Sequence, residues 1–296
     1  MPELPEVESI RLGLDPKIKG RRIERVEVRL PKQVKNLGVA AFCARLKGLR
    51  VTGTARRGKF LMLLLEGETL VIHLGMTGQV TFWDHKKENA KNFVVLPHTG
   101  LQKTPSQHAP DKHTHALFHL KGGDRIQYRD IRQFGHMHLF KPAALAHFKP
   151  IARLGIEPLD AAFTYAAFKA AMAPKRGALK PMLLSQTPIA GLGNIYVDEA
   201  LFRAGLNPRQ NAEGLKEPQL KALFEAIPAV LRQGLKFGGT TLMDYRDALG
   251  GKGSNQERLK AYGRAGKPCV KCRQPLKKTV VSQRSTAHCP SCQRLR

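Results

Sequence analysis

One change of hydrophobic period, near Pro150, constrains the architecture of this chain more than any single motif. Before it the period is two. Ile23, Val26, Val28 and Leu30 punctuate RIERVEVRL, and LRVTGTARRGK, FLMLLLEG, TLVIHLG and GQVTFW share the same strand-like character. EGET at 66–69 and KGGD at 121–124 have the composition of hairpin turns. Short strands at this spacing predict an antiparallel β-sandwich up to about residue 140. A short helix over residues 5–14 precedes them, with Glu6 and Glu8 at the positive end of its dipole. Residues 85–112 hold three prolines and no clear period, and are expected to form a long loop.

Beyond Pro150 the apolar spacing approaches 3.6 residues. Segments 161–172, 179–186, 194–205 and 217–237 are expected as helices, the last interrupted at Pro228. GGTT at 238–241 and GGKGSNQ at 250–256 bracket an expected flexible loop. After Glu257 no acidic residue remains, while Arg and Lys number 11 in 39 positions. The fold class is α+β in three units: 1–142 an N-terminal antiparallel β-sandwich with its helix, 150–257 helical, and 258–296 a basic C-terminal module.

That module contains Cys269-x2-Cys272 and Cys289-x2-Cys292, separated by 16 residues. Two thiolates from each tight turn complete a tetrahedron, which suits Zn²⁺, and a closed four-cysteine set leaves no water position. One structural zinc ion is therefore expected, holding a small β-hairpin that bears Arg284. The fifth cysteine, Cys43, reads as a core thiol.

The whole chain carries 50 Lys and Arg against 23 Asp and Glu, a net charge of +27 over 296 residues. Self-repulsion at this level costs stability, and a polyanionic partner is its natural explanation. At 42% hydrophobic residues the chain can still bury a core. No uninterrupted apolar run exceeds six residues, against about 20 needed to span a bilayer. The opening MPELPEVE is unlike a signal peptide, and an odd cysteine count argues against a disulfide framework. A cytoplasmic monomer without membrane contact is expected.

MPELPEVE, RRGKF at 56–60, HLGMTG at 73–78, GLGNIYVDEAL at 191–201 and the terminal four-cysteine module occur in that order. Together they resemble the formamidopyrimidine-DNA glycosylase family, bacterial repair enzymes that remove oxidised purines. The resemblance implies a helix–two-turn–helix DNA-binding domain around GLGN, a C-terminal β-hairpin zinc finger, and a lesion-capping loop near 238–255. It also implies double-stranded DNA with oxidised purines or abasic sites as partner, hence nucleoid association. The reaction it implies is base excision followed by β,δ-elimination.

Removal of Met1 would expose Pro2 as a secondary amine. An α-amino group, with a pKa of about 7.7–8.0, is neutral far more often at pH 7 than a lysine near 10.4. Such an amine can attack the sugar C1′ and form an iminium. Glu3 stands beside it as a carboxyl able to move protons at the sugar, and Glu6 follows one helical turn later. Both readings of Glu6, catalytic carboxylate and helix N-terminal charge, stay open. By resemblance Lys59 contacts the lesion and a flanking phosphate; Arg284 is placed to reach a phosphate. Met76, Arg132 and Phe134 match the family's insertion triad, which fills the gap left by an extruded base. Asn194 lies at a helix start suited to phosphate; Lys180 and Tyr196 match DNA-binding positions, and His113 a phosphate contact. Gln133 departs from the family's frequent second arginine.

Two alternatives remain at this level. An endonuclease VIII-type enzyme would share the fold and prefer oxidised pyrimidines, although Leu4 and the DIRQFG segment favour the purine branch. A catalytically silent zinc-ribbon protein would bind nucleic acid without cutting it, and Pro2 with Glu3 disfavours that reading.

Overall fold

The computed structural model describes residues 1–88, 93–96, 100–103, 109–173 and 176–295. Helix α1 (Leu4–Ile18) leads into β1 (Ile23–Val28), α2 (Val39–Leu46), β2 (Val51–Arg57), β3 (Phe60–Leu65), β4 (Glu68–His73) and β5 (Gly78–Trp83). A helical turn α3 (His85–Glu88) and the strands β6 (Phe93–Leu96) and β7 (Gly100–Lys103) follow. The first unit closes with β8 (Thr114–Leu120), β9 (Arg125–Asp130) and β10 (His136–Phe140). Two four-stranded antiparallel sheets result, ordered β1-β8-β9-β5 and β10-β4-β3-β2, with the 66–67 and 121–124 turns where their composition places them.

Alternation decides what the sandwich buries. Leu61, Leu63 and Leu65 of β3 face a core shared with Leu70, Ile72, Phe118, Ile126 and Tyr128. Helix α1 contributes Val7, Ile10, Leu14 and Ile18 to the same core, each fully buried. Each such side chain contributes about 1.5–3 kcal/mol by leaving water, and trimming Ile10 to alanine should cost about 2–5 kcal/mol. Leu4, at the start of the same helix, packs instead into the helical unit, so α1 joins the two.

The helical unit comprises α4 (Pro142–Leu145), α5 (Lys149–Ala152), α6 (Tyr165–Met172), α7 (Leu179–Leu184), α8 (Asn194–Ala204) and α9 (Glu217–Lys236). The chain ends in the hairpin β11 (Lys277–Val281) and β12 (Arg284–His288). Among the described residues no helix is long and apolar enough to cross a membrane.

Four expectations need correction. Helix α1 runs to Ile18 rather than stopping at 14, because Leu14 and Ile18 continue its apolar face into the core. Pro228 does not interrupt α9: it is buried on the same face as Leu223, Ile227 and Leu231, and that packing outweighs one missing backbone hydrogen bond. The 85–112 segment is not wholly loop, since FVVL and GLQK pair as an antiparallel hairpin; its residues 89–92, 97–99 and 104–108 lie outside the described ones. The segment after α9 is also tied down. Tyr245 and Ala248 enter the sandwich core, and Phe82 N–H donates to the Ala248 carbonyl at 2.7 Å. By packing, this segment belongs to the first unit as much as to the second.

Candidate active site

Glu3 and Glu6 of PELPEVE are buried one turn apart and serve different neighbours. Glu3 precedes the first turn of α1, and its backbone N–H donates to Glu6 Oε2 at 2.8 Å. Its side chain crosses to the start of α8, where Oε2 accepts from the N–H groups of Gly193 (2.7 Å) and Tyr196 (3.2 Å) and Oε1 from Ile195 (2.9 Å). These are the free N–H groups that every helix start presents. A Cβ at position 193 would fall 2.3 Å from the Glu3 carboxyl carbon, so any other residue there would displace Glu3. The α8 N-terminus, expected to meet a phosphate through its backbone, is therefore occupied by Glu3.

Glu6 Oε1 accepts from Tyr196 Oη (2.8 Å) and the Thr240 N–H (2.7 Å). Asn255 in turn donates to Thr240 Oγ1 (2.8 Å), so the segment after α9 is fastened directly to this carboxyl. Burial foremost, then the Glu3 charge, pushes the Glu6 carboxyl up to about 7, against the pull of its three donors. Lys59 is buried nearby. Burial lowers its ammonium below the ordinary lysine value, while Glu3 and Glu6 hold it up.

A cleft of about 340 Å³ opens over these groups, lined by Pro2, Glu6, Met76, Arg132, Thr240 and Met243 among others. Met1 is half exposed at the same cleft. Two loops aim the expected insertion residues. Asp130 is fully buried and accepts from Thr77 Oγ1 (2.5 Å) and the Gly135 N–H (2.8 Å), while Thr77 Oγ1 accepts from the Arg132 N–H (2.9 Å). A Cβ on Gly75 would meet the Phe134 carbonyl carbon at 2.6 Å, so glycine lets the Met76 and Phe134 loops approach. Gln133 adopts a left-handed φ of 59°, Phe134 is 56% exposed, and the Arg132 guanidinium lies 4.8 Å over its ring.

The zinc-finger end reaches the same place. Ser282 and Gln283 take positive φ of 48° and 60°, forming the two-residue turn that suits the twist of β11 and β12. Arg284 follows immediately, exposed, and its charge is felt at both Lys59 and Lys180. Behind it the Sγ atoms of Cys269, Cys272, Cys289 and Cys292 all lie within 4.8 Å of one another. Zn–S bonds of about 2.3 Å place tetrahedral sulfurs roughly 3.8 Å apart; the Cys272–Cys289 and Cys269–Cys292 separations are 3.4 and 4.0 Å. The four cysteines suit one zinc ion, and an all-thiolate set makes it structural. Among the described residues the other group with metal-type donors is Asp84, His85 and Asp124, where Arg21 (2.9 Å) and His85 (2.9 Å) already satisfy Asp124.

The structure thus gathers Pro2, Glu6, Met76 and Arg132 at one cleft, with Glu3, Lys59, Phe134 and Arg284 around it. Two of the expected DNA-binding residues are buried. Lys180 is fully buried against Asp198, and Tyr196 is 1% exposed with its hydroxyl on Glu6. His113 sits at the entrance to β8, its N–H held by Asp111, and does not line the cleft. Asn194 turns its amide to the Ser285 carbonyl at 3.1 Å. His73, at the head of HLGMTG, stacks on His136 at 5.1 Å, and burial, His136 and Lys59 push its pKa down to about 4.

The fold and site define a class: DNA-repair proteins built from a β-sandwich, a helix–two-turn–helix domain and a four-cysteine finger. Residues 1–137 match the formamidopyrimidine-DNA glycosylase N-terminal domain, 154–246 its H2TH domain, and 266–295 the zinc finger found in FPG and IleRS. Formamidopyrimidine-DNA glycosylases of Heliobacterium modesticaldum and Carboxydothermus hydrogenoformans are 41% and 42% identical, each over 99% of this chain and 100% of their own length. The FPG protein of Thermus thermophilus superposes with a TM-score of 0.82 at 36% identity, over the full length of both chains. Lactococcus lactis Fpg, solved with DNA containing an abasic site, gives 0.85 at 31% identity, over 99% of each chain. The chain belongs to the formamidopyrimidine-DNA glycosylase family.

Proposed function

We propose that this enzyme, a DNA glycosylase and abasic-site lyase by family, removes oxidised purines from duplex DNA and cleaves the strand through a Schiff base on Pro2. The observation that carries this reading is Pro2 itself, buried at the cleft it shares with Glu6, Met76 and Arg132. A Lactococcus lactis relative was solved with DNA containing Fapy-dG, a damaged purine nucleoside.

Met1 is cleaved first. The Pro2 nitrogen then donates its lone pair to C1′ and the C1′–base bond breaks, its electron pair leaving with the base, which takes up a proton. The Pro2 nitrogen loses its proton and expels the ring oxygen, which is protonated, leaving a C1′ iminium. Loss of a C2′ proton drives out the 3′ phosphate, loss of a C4′ proton drives out the 5′ phosphate, and water releases Pro2. Glu3 lies beside the nucleophile. Glu6, held near 7, is able to hold or release a proton at neutral pH. Lys59 and Arg284 draw the flanking phosphates in. Phe134 wedges the duplex, Met76 fills the vacated space and Arg132 takes the unpaired opposite base.

Borohydride trapping on a duplex with 8-oxoguanine opposite cytosine tests this. A covalent adduct that disappears in Pro2→Gly with retained Met1 is expected; an adduct that survives loss of the free Pro2 amine overturns the mechanism. Faster trapping on a thymine-glycol duplex would transfer the substrate class to oxidised pyrimidines.

A further inference from the structure

Lys180 and Asp198 form a fully buried ion pair, Nζ to Oδ1 at 2.6 Å, where α7, α8 and the finger strand β12 meet. Lys180 Nζ also donates to Thr286 Oγ1 (2.7 Å) and the Ser285 carbonyl (3.2 Å). The second Asp198 oxygen accepts from the Ala287 N–H (3.4 Å), and the Asn194 amide donates to the Ser285 carbonyl (3.1 Å). Four hydrogen bonds from α7 and α8 therefore converge on the three residues that directly follow Arg284. Burial disfavours the charge on both partners, raising the Asp198 carboxyl and lowering the Lys180 ammonium. An apolar pair of the same volume would seal this junction at no lower stability. What it would not supply is direction: packing lets a strand slide along its axis, whereas four directional bonds set its register.

We infer that the Lys180–Asp198 pair is a positioning device that holds the finger strand so that Arg284 reaches the phosphate beside the lesion. The inference rests on the phosphate role proposed for Arg284. In it Lys180 and Asp198 act only through Arg284 and touch no DNA.

The test uses full-length, zinc-loaded protein, a duplex carrying a stable abasic-site analogue for binding, and an 8-oxoguanine duplex for kinetics. Arg284→Ala should reduce the magnitude of the salt slope by about 0.9, one phosphate contact, and raise KM more than it lowers kcat. The paired variant Lys180→Met with Asp198→Asn leaves no buried ion uncompensated. It should keep its zinc and its melting temperature and show the same loss of slope. Adding Arg284→Ala to the paired variant should then cost nothing further. Should the paired variant lose zinc, Asp198→Glu, which keeps the pair but lengthens one arm, should still lower the slope. A paired variant with the full slope, or losses that multiply with those of Arg284→Ala, overturns the inference alone. An unchanged slope in Arg284→Ala itself would locate the failure in the phosphate role and remove both.

Discussion

Helix α8 meets buried charge in two places, and the two are built in opposite ways. At its N-terminus Glu3 and Glu6 bring two carboxylates together, and among the described residues neither is in an ion pair. One turn along, Asp198 is matched at 2.6 Å by Lys180. In the first place hydrogen-bond donors from backbone and tyrosine do the stabilising, and burial raises the Glu6 carboxyl to about 7. In the second, burial raises the Asp198 carboxyl likewise, Lys180 pulls it back down, and the remaining Lys180 donors hold the finger strand. The difference lies in what faces the carboxyl, fixed dipoles or a cation.

Removing the zinc should break the second junction and spare the first, with the largest effect. Structural zinc binding contributes on the order of 10–16 kcal/mol to finger folding. Chelation, or Cys289→Ser, should release Arg284 and weaken duplex binding about tenfold or more, while the thermal transition of the sandwich, followed by circular dichroism, survives. A sandwich that melts together with the finger would show that the two junctions are one.

Glu3→Ala attacks the first junction. It strands the N–H groups of Gly193, Ile195 and Tyr196 at about 1–3 kcal/mol each, so stability should fall by roughly 3–9 kcal/mol, read as a lower melting temperature. A loss below 1 kcal/mol would mean that water replaces the carboxylate. A smaller and pH-dependent effect is expected for Glu6→Gln. The folded state holds Glu6 near 7, above its ordinary 4.5, so it binds more protons than the unfolded chain between those values. Its stabilising contribution is full below 4.5 and lost as pH rises through 7, on the order of 3 kcal/mol. The melting temperature of Glu6→Gln should therefore gain on that of the parent between pH 5 and 8, and a constant difference would contradict the raised pKa.

Tyr196→Phe is the mildest probe. It removes one donor from Glu6 and one partner from Thr240, costs about 1 kcal/mol, and should move the Glu6 midpoint further upward. A downward move would show that the hydroxyl does not stabilise the carboxylate.

Much of the fold was legible because it depends on neighbours in sequence. Strand alternation, the 66–69 and 121–124 turns and the cysteine spacing are local signals, and each element stands where they put it. Met76 and Phe134 were not legible from pattern, since an apolar residue on a strand-like segment ordinarily goes inward. Only the resemblance marked them. The arginines of RRGKF show the opposite limit. Nothing in the motif names their partner, and Arg56 and Arg57 both pair with Glu157, at 2.8 and 2.9 Å. That Lys180 and Tyr196 are buried was not legible either, because burial is not written in a residue's type.

The sequence by itself determined the four-cysteine metal set, the division into strand-rich and helix-rich parts, and the nucleophile candidate placed second in the chain. These follow from covalent spacing. Tertiary structure alone decided which carboxyls burial pushes up and which cations are held in ion pairs. Solvation and Coulomb energy depend on distance in space, and the partners that set them here lie far apart in the chain: Glu6 and Thr240 by 234 positions, Lys180 and Thr286 by 106.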